Sequence, residues 1–176
     1  VKPAWVHGMG RKSIVFACAN PVPEIYPYAA KEAGAYIVGT GRSDFPNQVN
    51  NSTCFPGLLK GAILGRARKV TDSMAIRCAH SLADYAERKG IDVDHIMPTM
   101  DDVGVFSEEA ADVAEQAVKE GVARVNLTRK EVLERARHDI DEARASVKAL
   151  LDAGLIKQPP ERLVQDAFEW ACSQVK

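Results

Sequence analysis

The sequence predicts an α/β fold, with a strand, helix, strand unit near its start and several helices after it, the last two forming a helical hairpin. Two short apolar runs carry the first part, "SIVFACAN" at residues 13–20 and "AYIVGT" at residues 35–40, and a helical segment lies between them. Beyond residue 130 the apolar residues recur at steps of three and four instead. That change of period separates a strand-bearing region from a purely helical one.

The near-continuous hydrophobicity of "SIVFACAN" suits a strand buried on both faces of a parallel sheet. Pro21 and Pro23 end it. In "EIYPYAAKEAG" the helix is expected only from Pro27 onward, because proline fits a first turn and breaks an interior. A βαβ unit places its strands parallel, and ligands of such sheets lie outside the carboxyl ends of the strands. Asn20 and the long loop beginning at Thr40 both leave such ends, so they can share one crevice.

After the loop, "FPGLLKGAILGRA" is apolar nearly all round and is expected to be a buried helix. "TDSMAIRCAHSLADYAERKG" has Thr71 or Asp72 as N-cap, Met74, Cys78, Leu82 and Tyr85 as its inward stripe, and Gly90 as its stop. "DVDHIMPTMDDVGVF" is expected to be irregular, with Ser107 capping the next helix. The seam Leu133, Ala136, Ile140, Ala143, Val147, Leu150 then predicts a long helix, and "ERLVQDAFEWACSQV" a second amphipathic one. The alanines at half of the seam positions favour close packing within the chain over self-association.

The composition, 176 residues with 46% hydrophobic, 27% charged and a net charge of -1, suits one domain with a real core. Near-neutral charge argues against nucleic acid as a partner. No apolar run reaches the roughly 20 residues needed to cross a bilayer, and the first residues lack the apolar core of a signal peptide, so no membrane partner and a cytoplasmic location are expected. Cys18, Cys54, Cys78 and Cys172 are scattered without a CxxC pair, which argues against zinc or a redox dithiol. Cys18, inside the first apolar run, is expected to be an inert core residue.

Few residues point to chemistry. There is no G-x-G-x-x-G and no Walker loop; "GTGR" at residues 39–42 is a weak phosphate signal, since glycine at a strand end is commonly a turn. Asp101 and Asp102 read as solvated charge, and the four histidines stand on different segments. Asn20, Asn50 and Asn51 each offer a donor and an acceptor, which suits a ligand with hydroxyl and carboxylate groups. From the residues alone, turn chemistry explains them equally well.

Together "IVFACANPVPEI" and "GTGRSDFPNQVNNSTCFPGLLKGA", with "MPTMDD" and "VAEQAVKEGVAR", resemble the C-terminal part of the NAD(P)-binding domain of malic enzymes of the shorter bacterial and archaeal type. The resemblance covers residues 1–130 and implies the C-terminal half of a Rossmann-like domain, with residues 131–176 as a helical extension about which it says nothing. It further implies oxidative decarboxylation of malate to pyruvate and CO2, with NAD or NADP reduced, Mg or Mn as the divalent ion, and a homodimer or larger assembly. By the family's pattern Asn20 contacts substrate and cofactor, Asn51 contacts malate, and Asn50 shapes the loop or meets the cofactor. The family's catalytic tyrosine and lysine, its metal-binding carboxylates and its Gly-rich loop have no match after Val1. No catalytic residue and no metal ligand is therefore expected in this chain, and the isolated chain is expected to be inactive.

Overall fold

The computed structural model describes residues 1–174. They divide into two compact units, Val1–Arg137 and a second that begins at His138. In the first, helix α1 (Pro3–His7) precedes strand β1 (Ile14–Ala17), helix α2 (Pro27–Glu32) and strand β2 (Ile37–Thr40). The strands are parallel, with Ile14 opposite Ile37 and Ala17 opposite Thr40, as a βαβ unit requires. Proline 27 is in the first turn of α2, where its missing N–H is not needed. Val6, Ala17, Ile25, Ala30, Ala35 and Val38 form the core beneath this sheet.

Strand β1 differs from the expectation of burial on both faces. Ile14 is 52% and Phe16 51% exposed, because α1 and α2 pack on the face that carries Val15 and Ala17 and leave the opposite face open. Cys18 falls outside the strand and is exposed, so it is no core cysteine.

The second half of this unit is helical: α3 (Phe55–Leu64), α4 (Asp72–Lys89), α5 (Gly104–Lys119) and the beginning of α6 (Arg129–Asp152). Thr71 caps α4, its side chain accepting a hydrogen bond from the Met74 N–H, and Met74 and Cys78 lie on the buried face. The helix buried nearly all round is α5 and not α3. Phe55, Leu59 and Ile63 of α3 are exposed, while its Gly57, Leu58 and Gly61 face α5. Small residues on both helices, Gly61 against Ala110 and Val113, let the backbones approach closely.

Helix α5 also begins a turn earlier than expected, at Gly104. Val105 and Phe106 are buried, which draws the extra turn into the core, and Ser107 is an interior residue whose hydroxyl donates to the Gly104 carbonyl. Asp112, 3% exposed, takes guanidinium groups from Arg77 at 3.0 Å and Arg129 at 2.7 Å, which fastens α4 and the start of α6 to α5.

Val132 and Ala136 of α6 pack with Ala110, Ala111 and Ala114, so the first unit runs past residue 130, where the sequence placed the boundary. The rest of the seam is not packed away: Ala143, Val147 and Leu150 are exposed. Helix α7 (Glu161–Gln174) forms where its stripe predicts but has no buried residue, so a hairpin whose stripes cover one another is not formed by the described residues. Among the described residues, no helix is long and apolar enough to cross a membrane.

Candidate functional site

The polar residues singled out by the sequence collect beyond the carboxyl ends of β1 and β2. Arg42 links the two exits. Its guanidinium donates to the Pro21 carbonyl at 2.8 Å and, through two nitrogens, to Asp44 at 2.8 and 2.6 Å, while lying over the Phe45 ring. The bond from Arg42 holds the Asp44 carboxyl below its ordinary range. Gly41 permits the crossing, since a Cβ there would lie 3.2 Å from the Cys18 carbonyl oxygen. "GTGR" is thus a structural joint between the two loops.

Asn47 holds the loop down, a role the sequence did not reveal. It is 5% exposed; its amide nitrogen donates to the carbonyls of Val38 at 3.1 Å and Val93 at 2.8 Å, and its oxygen accepts from the Ile96 N–H at 2.8 Å. The only available hint was its place among amides before "NN", because its partners lie up to 49 residues away in sequence.

The three predicted asparagines differ in what the fold leaves available. Asn50 is half-buried, donates to the Gly41 carbonyl at 2.9 Å and accepts from the Ser52 N–H at 2.9 Å, capping the short 3₁₀ turn Asn51–Thr53. One N–H and one lone pair remain to it. Asn51 opens that turn and is exposed, and no hydrogen bond among the described residues engages its side chain. Asn20 is likewise exposed, directly before a cis bond to Pro21. Through Arg42 to Pro21 and Asn50 to Gly41, the loop carrying Asn51 is drawn to the strand exit that carries Asn20.

Asp101 is the solvated charge expected of it, whereas Asp102 is largely covered and paired. Asp102 takes Lys89 and the Thr99 N–H, and Asp101 is exposed. The cysteines overturn their expectation, since Cys54 and Cys78 meet with sulfurs 3.1 Å apart, beside the buried carboxyl of Glu109. Burial pushes the Glu109 carboxyl up to about 9. The hydrogen bond shared by the thiols holds Cys54 down to about 7 and pushes Cys78 up. This is the one group of three potential ligands found among the described residues. Its thiols do not fit Mg or Mn, which take oxygen ligands.

A parallel βαβ unit with polar side chains gathered at the carboxyl ends of its strands defines an α/β protein of the nucleotide-binding type. The model of the family described as malic enzyme, NAD binding domain, matches residues 34–118. The bifunctional malic/malolactic enzyme of Bacillus subtilis is 43% identical over 132 residues, 75% of this chain and 32% of that protein. The crystal structure of Entamoeba histolytica malic enzyme is 57% identical, with a TM-score of 0.98 over 100% of this chain and 36% of its own. That of Pyrococcus horikoshii malic enzyme is 44% identical, with a TM-score of 0.80 over 85% and 34%. The chain belongs to the malic enzyme family.

The chain spans between a quarter and a third of the length of three curated relatives it matches. The Entamoeba structure matches residues 131–176 as well, so the helical extension is shared with that malic enzyme.

Proposed function

We propose that this chain is the part of a malic enzyme that orients malate against NAD or NADP, in an enzyme that oxidises and decarboxylates malate to pyruvate and CO2. The observation that carries the reading is the exposed amide of Asn51, without a side-chain hydrogen bond on a loop that Asn47 and Asn50 anchor. An exposed amide left unengaged on an anchored loop is available to a ligand. Asn20 presents a second amide from the neighbouring strand, and Asn50 shapes the loop while offering its remaining N–H to the cofactor.

The chemistry asks for such groups. Hydride leaves C2 of malate only when that C–H faces the nicotinamide ring, so the hydroxyl and carboxylate must be held from the sides. The asparagines hold them without exchanging protons; the proton transfers and the divalent ion belong to groups this chain's described residues do not supply. The first unit, Val1–Arg137, acts as the cofactor-domain part, and the helical extension follows it. A near-neutral charge supports an enzyme without nucleic-acid partners.

In the complete enzyme Asn51→Ala is expected to lower kcat/KM for malate by about tenfold or more, on the order of 1 to 3 kcal/mol for a substrate group left unpaired. Initial rates of malate-dependent NAD or NADP reduction measure it. Unchanged kinetics would remove Asn51 from the site.

The bare apolar surface of the extension supports a second role, assembly into a homodimer or larger. Val147, Leu150, Leu163, Phe168 and Trp170 are all exposed, more than a free helix tolerates without a partner. Val147→Glu with Leu150→Glu is expected to lower the mass in solution by one assembly step while leaving the circular dichroism spectrum unchanged. An unaltered mass by light scattering would end that reading.

A further inference from the structure

We propose that Cys54, Cys78 and Glu109 form a binding site for a single zinc ion at the root of the asparagine loop. The three come from three elements: Cys54 immediately before α3, Cys78 from α4 and Glu109 from α5. Their ligand atoms all lie within 4.8 Å of one another. Two sulfurs and one carboxylate are a donor set that zinc accepts and that magnesium does not.

Glu109 is the observation that points to a cation. It is fully buried, and both of its carboxyl oxygens lack a hydrogen-bond partner. One turn further along the same helix, the equally buried Asp112 is met by two guanidinium groups. Buried carboxylates are ordinarily paired or coordinate metals. The two thiols lie beside this carboxyl.

A disulfide is the competing use of the two sulfurs. It would need them to close from 3.1 Å to about 2.05 Å, and it would leave Glu109 as unpartnered as before. Zinc bonded to sulfur at about 2.3 Å in tetrahedral geometry needs them to open to about 3.8 Å, a side-chain adjustment, and engages all three residues. Cys54 is only half-buried, which leaves a side from which water completes the fourth position. On binding, the two thiols and the carboxyl release their protons to solvent, so affinity rises with pH. The ion would fix the residue that follows the 3₁₀ turn of Asn51, and with it the presentation of that side chain.

The test uses the full chain with Cys18→Ser and Cys172→Ser, stripped of metal and kept reduced. Cobalt(II) titration is expected to produce a thiolate-to-cobalt charge-transfer band that saturates at one equivalent and is discharged by one equivalent of zinc. Cys78→Ser should abolish the band, and Glu109→Gln should keep it while weakening cobalt binding at least tenfold. Absence of the band with both thiols still reactive would overturn the site. So would a band that persists in Cys78→Ser, or cobalt affinity unchanged in Glu109→Gln.

Discussion

Gly61→Ala is expected to destabilise the first unit by on the order of 3 kcal/mol, about a 10 °C fall in Tm, although alanine is the better helix former. A Cβ at this position would lie 2.5 Å from the Ala110 carbonyl oxygen and 2.9 Å from the Val113 Cβ. Neither neighbour can yield cheaply, since one is helix backbone and the other is the root of a fully buried side chain. Helices α3 and α5 must therefore separate, and the Leu58, Met74, Val113 cluster loosens with them. Gly10, with nothing within 4 Å of its would-be Cβ, is the control. Thermal unfolding of the two variants measures the difference; equal Tm values would show that the close helix contact carries little energy.

Glu109→Gln is expected to act in the opposite direction and to depend on pH. In the metal-free protein the folded state keeps the Glu109 proton up to about pH 9, whereas the unfolded chain releases it near its ordinary 4.5. Between those values the folded state holds one proton more, so stability declines as pH rises through the window and levels off above it. Glutamine has no proton to lose. The variant should match the parent near pH 4.5 and exceed it at pH 8 by on the order of 4 kcal/mol. Denaturant unfolding in a chelating buffer at several pH values checks this. Parallel profiles for the two proteins would mean that Glu109 is not buried as a neutral acid.

Much of this was legible along the chain. The two β runs, Pro27 as a helix start, the Thr71 cap and the stop at Gly90 are local signals, read within a few residues of where they act. Ser107 misled because the extra turn of α5 depends on Val105 and Phe106 being buried by distant helices, which no local cap records. Asn50 and Asn51 are adjacent and chemically identical, yet one is engaged by Gly41 and Ser52 while the other stands free. Asn47, which anchors the loop, looked like one more amide.

The sequence by itself determined the class and family, because backbone preferences and extended motifs such as "NQVNNSTCFPG" are written in consecutive residues. Only the tertiary structure decided which asparagine is free, which helix is the buried one, and that Cys54, Cys78 and Glu109 meet. These are separated by 24 and 31 positions in the chain, and no close-set ligand pair such as C-x-x-C marks them. Across three elements, proximity is set by how closely α3 and α4 pack on α5, and that is decided by small residues whose purpose appears only when the helices are in place.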